Sequence, residues 1–200
     1  MWPVQGSSGA AQPHDLIIRM TDHETGCLPA HDGVRLRSAT AGDAEAVTRV
    51  FLDSRAAAMP YLPRIHSDEG TLAWITHVVL PTSTAVWVAE QAGQDGEDAG
   101  DGEGGELLGF AALAGGDELD HLYLRPDALR RGIGSRLLAE VRGAVDGPIS
   151  LYVFQRNAAA RAFYERHGFT AVAFDDGGRN EENEPDVLYR WTPQGVSGGP

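Results

Sequence analysis

The stretch Leu119–Val145, LDHLYLRPDALRRGIGSRLLAEVRGAV, decides how the rest of this chain is read. Its apolar opening, Leu122-Tyr123-Leu124, has the composition of a short buried strand. A turn marked by Pro126 leads into Arg130-Arg131-Gly132-Ile133-Gly134. Ile133, Leu137, Leu138, Val141 and Val145 then recur at helical spacing. A strand, a glycine-bearing turn and a helix, in that order, make a device for holding phosphates. The first N–H groups of a helix have no partner inside it, and its dipole favours negative charge there. Gly132 and Gly134 let a ligand approach the backbone, and Arg130 and Arg131 offer paired donors to phosphate oxygens. The dipole alone contributes about 0.3–1 kcal/mol, so several donors must act together.

Rival phosphate motifs fail on single residues. A Walker loop requires lysine, and all 16 basic residues of this chain are arginine. A dinucleotide fingerprint requires a third glycine where Leu137 stands. The alternative for the pentapeptide alone is a tight turn with two solvated arginines.

A second block, Asn157 to Phe169 (NAAARAFYERHGF), pairs an N-cap asparagine with a closing Gly168-Phe169. Together the two blocks resemble the GNAT superfamily of acyl-CoA-dependent N-acetyltransferases. The resemblance rests on Leu122-Tyr123-Leu124 before Pro126, on Arg-Arg-Gly-Ile-Gly-Ser at 130–135, and on the later helix with Tyr164. One departure is Leu129, which stands where the family usually has Gln or Arg; the cradle is mainly backbone, so one side-chain contact is affected. The resemblance covers roughly residues 34 to 192.

Composition sets the outer bounds. Two hundred residues with 42% hydrophobic content suit one domain with a real core. A net charge of −13 argues against nucleic acid or an anionic membrane surface as partner. It suits a cationic substrate, although acidity also serves solubility. One cysteine, Cys27, excludes an internal disulfide. With no membrane-length apolar window and no signal pattern, a cytoplasmic location is expected.

Residues 1–31 read as a disordered arm, 32–193 as the domain and 194–200 as a flexible tail. His23, Cys27 and His31 are regularly spaced, but Gly26 and Pro29 break any helix that would align them. The stretch 91–106 is Gly, Asp, Glu, Ala, Gln and Leu-free, a long loop inside a hairpin that lacks calcium-loop spacing. No metal is expected.

Val34 to Arg37 alternates like a first strand, and Thr40-Ala41-Gly42-Asp43 reads as a capping box opening a helix through Val47, Val50, Phe51 and Ala58. Pro60 and Pro63 end it. A second helix begins near Ser67 and carries Leu72, Ile75, Val78 and Val79. Strands follow at 84–89 and 107–113, then the cradle and its helix, then strands at 149–154, 169–174 and 187–191. The order β-α-α-β-β-β-α-β-α-β-β resembles the GNAT fold, an α/β (α+β) architecture. That fold has a mixed, largely antiparallel central sheet of about six to seven strands with helices on both faces.

The resemblance also implies roles. Acetyl-CoA, the acyl donor, would sit on Arg130, Arg131, Gly132, Ile133, Gly134 and Ser135, with Asn157 beside it. Its pantetheine would run along the backbone of Leu122, Tyr123 and Leu124, where a backbone N–H could polarise the thioester carbonyl. Tyr164, two turns after Asn157 on one helix face, would reprotonate the departing thiolate; a tyrosine there can also be a packing residue. Glu118 stands at the position of a general base in parts of the family. Asp120, two residues on, falls nominally on the same strand face. Either could act through water, or be an exposed carboxylate. Tyr61, Arg64, His66 and Trp74, near the break between the first helices, would form one wall of the acceptor site. Glu181 belongs to the run Asn180 to Asp186 before the last strand, whose carboxylate cluster could hold a substrate ammonium. These loops could equally pack on the core or be solvated.

The function these readings imply is direct transfer of an acetyl group from acetyl-CoA to a primary amine of a small molecule. Two alternatives stand beside it: an acyl-CoA-binding module or regulator without turnover, and modification of a protein N-terminus or lysine. The chain would act as a monomer or homodimer.

Overall fold

The computed structural model describes residues 33–92 and 105–193. The expected arm with His23, Cys27 and His31, the interior of the acidic stretch and the tail at 194–200 lie outside the described residues. Seven strands form one sheet: β1 (Val34–Ser38), β2 (Ala85–Gln91), β3 (Leu107–Ala114), β4 (Glu118–Leu124), β5 (Ile149–Phe154), β6 (Thr170–Asp175) and β7 (Asp186–Trp191). Their order is β1-β2-β3-β4-β5-β7-β6, and every neighbouring pair is antiparallel except β4 and β5. This is the mixed, mainly antiparallel sheet expected.

Helices cover both faces. Helix α1 (Ala44–Ala58) and α2 (Asp68–Trp74) pack on one side; α4 (Ile133–Gly143) and α5 (Ala158–Arg166) pack on the other. Strand β3, LLGFAALA, is apolar throughout because it is buried on both faces. Val47, Val50, Phe51, Ile75, Val88 and Phe110 form the α1 side of the core. Leu113, Ile133, Leu137, Leu138, Ile149, Leu151 and Tyr189 form the α4 and α5 side.

Local signals explain the helix ends. The box at Thr40 and Asp43 is present and sits on a 3-10 turn, Ala41–Asp43, that runs into α1. Ser67 caps α2 by accepting from the Gly70 N–H at 3.1 Å. Beyond Trp74 the helix widens into a π-helical turn, Ile75–Val79, and ends in the short α3 (Leu80–Thr82). That widening corrects the expected apolar face: Ile75 and Val79 are buried, but Val78 turns outward at 40% exposure. Two strand boundaries shift as well. Phe169 is a buried plug ahead of β6 rather than its first residue. Gln91, assigned to the loop, is the last residue of β2, and its N–H donates to the Glu106 carbonyl.

One carboxylate lies inside the first strand pair. Glu90 is 2% exposed and accepts from Arg35 Nε at 2.7 Å and Arg37 Nε at 2.8 Å, while Arg37 also grips Asp43. Asp43 holds the capping box, so this network fixes the start of α1 against the sheet edge. Replacing Glu90 with Gln leaves Arg35 without its charge partner and Arg37 with Asp43 alone. The expected loss is roughly 3 kcal/mol, the low end for a broken buried pair because Arg35 is half-exposed. Urea unfolding of the variant measures it.

Candidate active site

Strand β4 is the hinge of the site. It pairs with β5 at one position, Glu118 opposite Ser150, and beyond it the two strands diverge. Arg125 N–H donates to the Leu108 carbonyl of β3. By the alternation of a strand, the N–H groups of Leu122 and Leu124 therefore point the other way, into the gap. A chain laid in that gap would find unfilled backbone partners.

A β-bulge sits in the same strand. Ala112 faces His121 and Leu113 faces Leu119, so Asp120 has no partner across β3. The bulge reverses the parity of the strand. Leu119 joins Leu122 and Leu124 on the α4 side, while His121 and Tyr123 face Phe51, Trp74 and Phe110. The expected shared face of Glu118 and Asp120 is thereby corrected: Asp120 stands outside the alternation. Both carboxylates nevertheless border one cleft.

That cleft, of about 610 Å³, is lined by Glu118, Asp120, Leu122 and Tyr123 of β4 and by Tyr152, Val153 and Phe154 of β5. Asn157 and Tyr164 of α5 and Met59, Arg179, Asn180 and Asp186 complete it. A larger cavity of about 820 Å³ lies between α1, the α1–α2 linker and α2, lined by residues such as Arg49, Leu52 and Arg64. Of the residues expected to carry chemistry or meet substrate only Arg64 borders it, so the smaller cleft is the candidate site.

Beside Leu124 of β4 stands the start of α4, entered through a tight turn. Arg130 and Gly132 both adopt left-handed backbone, with φ of 62° and 78°. A non-glycine residue held there is strained, a condition associated with functional sites. The first backbone bond of α4 runs from Arg136 N–H to the Gly132 carbonyl, which leaves the N–H groups of Ile133, Gly134 and Ser135 unused by the helix. Gly134 is needed for a second reason. A Cβ there would lie 3.3 Å from Leu124 and 3.4 Å from Phe163, where the helix, β4 and α5 meet. Arg131 donates to Gln91 Oε1 at 3.0 Å, and Ser135 Oγ lies 2.9 Å from His167 Nε2.

Asn157 caps α5, its side-chain oxygen accepting from Ala160 N–H at 3.1 Å. Tyr164 is buried against Phe163 and Phe169. Burial, and then the neighbouring Tyr123, push its hydroxyl pKa well up, so it is protonated at neutral pH. Glu118 is raised above the usual carboxylate value, first by burial and then by the charges of Asp120 and Asp117.

The acceptor side is arranged differently from the expectation. Arg64 pairs with Asp68 on the surface. Trp74 belongs to the aromatic cluster around Phe51 and His121. His66 and Glu181, each expected to meet substrate, meet each other at 2.7 Å. The ring of Tyr61 lies under the Arg156 guanidinium, 4.0 Å away. The link between β6 and β7 is thus tied down by three carboxylates: Glu181 on His66, Glu182 on Arg55 at 2.6 Å and Glu184 on Arg156 at 3.6 Å. Asn180 and Asp186 of the carboxylate run border the cleft, and so do Met59, Tyr152 and Arg179, which sequence reasoning missed. No local pattern marks them, since their place depends on how the link is tied.

A model of the acetyltransferase (GNAT) domain family matches residues 82–171, the span from β2 to the start of β6. Over that span, which holds β4, the turn before α4, and α5, the chain matches the family. The peptidyl-lysine N-acetyltransferase YiaC of Escherichia coli is 35% identical over 89 residues, 44% of this chain. The chain spans 59% of that relative's length. Among solved structures, the GNAT fold here is similar to apo YjaB of Escherichia coli, with a TM-score of 0.60 and 19% identity over 79% of this chain and 97% of that one. It is also similar to the PaiA N-acetyltransferase of Thermoplasma acidophilum in complex with coenzyme A, with a TM-score of 0.57 and 20% identity over 80% and 99%. Among the described residues no helix is long and apolar enough to cross a membrane, and no group of three or more His, Cys, Asp or Glu is placed to hold a metal ion.

The raised Glu118 has a consequence for stability. A carboxyl whose folded pKa exceeds its unfolded value favours folding at low pH, and that contribution is lost as pH rises through the folded pKa. Glu118→Gln, uncharged at every pH, is therefore expected to raise the urea midpoint at pH 7 and to leave it nearly unchanged at pH 4. Equal effects at both pH values would show that ionisation of Glu118 is not strained.

Proposed function

We propose that the GNAT domain moves an acetyl group from acetyl-CoA directly to a primary amine of a small molecule. The observation that carries this reading is the meeting of the open β4 edge and the buried, protonated Tyr164 on one cleft, with the unfilled N–H groups at the start of α4 standing beside Leu124 of the same strand. The pyrophosphate of the donor would lie on the N–H groups of Ile133, Gly134 and Ser135, with Arg130 and Arg131 beside it. Its pantetheine would follow the inner edge of β4, placing the thioester between β4 and β5. Acetyl-CoA supplies the activated acyl group; the chain supplies position, a proton acceptor and a proton donor.

The acceptor nitrogen must be neutral to attack. Glu118, with Asp120 near it, takes the ammonium proton through water, and its raised pKa makes it a better base than an ordinary carboxylate. The nitrogen lone pair then forms the new bond to the carbonyl carbon. The N–H of Leu122 or Leu124 bears the negative charge that develops on oxygen. As the C–S bond breaks, the sulfur takes its electron pair and a proton from Tyr164, and the nitrogen gives up its second proton, which returns through water to Tyr164. The tied-down β6–β7 link narrows the acceptor side, which supports a slender amine.

A second reading, acetylation of a lysine in a peptide, is favoured by the likeness to YiaC. Release of CoA thiol from acetyl-CoA across polyamines, amino acids, aminoglycosides, arylamines and lysine-containing peptides separates the two. Release that depends on small amines supports the first, and release from peptides alone supports the second. Stabilisation by acetyl-CoA without release from any amine would leave a binding module.

Tyr164→Phe is expected to lower kcat by about 10²-fold, within the range for losing a general acid, with little change in acetyl-CoA affinity. An unchanged single-turnover rate would remove the acid role.

A further inference from the structure

The acidic lining of the cleft exceeds what acetyl transfer to a simple amine requires. Glu118 and Asp120 lie on β4, and one carboxylate suffices to take the ammonium proton. Asp186 borders the same cleft from another wall, at the start of β7, across from Phe154 of β5. It is 7% exposed. Its Oδ2 accepts from Asn180 Nδ2 at 3.0 Å, and its enclosed Oδ1 has no hydrogen-bond partner.

Asn180 holds this carboxylate in place. Its Nδ2 also donates to the Glu184 carbonyl at 2.8 Å, and its Oδ1 accepts from the Glu184 N–H at 3.1 Å. Asp186 is therefore oriented by the link rather than drifting toward water. The nearby cations are already engaged. Arg179 pairs with Asp175 at 3.1 Å, Arg156 with Glu184 and Arg55 with Glu182. A buried carboxylate oxygen without a donor is costly unless a ligand supplies one. The lining thus carries three acids against one arginine whose charge is already matched.

We propose that Asp186, fixed by Asn180, is a second cation subsite of the cleft, so that the acceptor is an amine bearing a further positive group. This rests on the amine-acetylation reading and deepens it. The amine to be acetylated lies toward Glu118 and Asp120, and the second charge lies against Asp186. A monoamine of equal length fills the first position and leaves Asp186 unanswered.

The test compares 1,4-diaminobutane with butylamine on the full chain, wild type and Asp186→Asn. Wild type is expected to favour the diamine in kcat/KM by roughly tenfold or more, and the isosteric variant to bring that ratio near unity with the KM for acetyl-CoA unchanged. Thermal stabilisation by each amine in the presence of CoA is the second readout, with diamine stabilisation expected in wild type and lost in the variant. Wild type that treats the two amines alike in both readouts overturns the subsite, and this comparison decides even where the variant does not fold. A diamine preference that survives Asp186→Asn overturns the assignment to Asp186. Stabilisation that depends on Asp186 without CoA release would support the subsite while removing acetyl transfer. Equal release from both amines would leave transfer standing and remove the subsite.

Discussion

A parallel strand pair that meets at Glu118 and Ser150 and then diverges cannot satisfy its inner edges by itself. Most of the molecule follows from that divergence. The N–H groups of Leu122 and Leu124 are left facing a gap, and the gap has to be walled by something other than sheet. Helix α5 supplies one wall through Asn157 and Tyr164, and the β6–β7 link supplies another through Asn180 and Asp186. Helix α4 packs close on β4 and α5, so that a Cβ at position 134 would press on Leu124 and Phe163. The bulge at Asp120 serves the same opening, because an extra residue bends the strand and increases its local twist.

Electrostatics divide the two ends of this gap. The start of α4, beside Leu124, offers unfilled backbone N–H groups, a setting for anions. The end where β4 meets β5 carries Glu118 and Asp120, a setting for cations, while Asp186 lines the cleft opposite Phe154 of β5. A donor with phosphates and an acceptor with an ammonium would thus be drawn to opposite ends, with their reactive atoms between them. The low-dielectric lining makes each end count for more than it would in water. The same burial is what raises Glu118 and Tyr164 toward their neutral forms.

Much of the donor side was legible in sequence because its determinants are local. Gly132, Gly134, the cap at Asn157 and the apolar spacing of α4 act within a turn or two of themselves. Glu118, Asp120, Tyr123, Asn157 and Tyr164 were all singled out, and all border the cleft. What was not legible depends on register or on distant partners. The bulge that takes Asp120 out of alternation is a relation between two strands, and a single-strand pattern is silent about it. The π-helical turn that exposes Val78 adds one residue to a repeat that reads as regular helix. His66 and Glu181 each resembled a substrate contact; they are 115 residues apart and satisfy one another instead. The run from Asn180 to Asp186 was legible as a carboxylate cluster, but which of its acids borders the cleft depends on how the link is tied: Asp186 does, and Glu181 pairs with His66.

The ion pairs of this fold are all made by arginine or histidine among the described residues, and the chain contains no lysine. A guanidinium stays protonated and is a poor nucleophile, whereas a lysine amine is open to acylation by any thioester that lingers near it. The proposed thioester cosubstrate would therefore find no side-chain amine in this chain to consume. The clasp on Glu182, the grip on Glu90 and the cation stacked on Tyr61 are in this sense inert to the proposed cosubstrate. Self-modification, which would erase positive charges one by one and loosen those contacts, has no side-chain amine on which to begin.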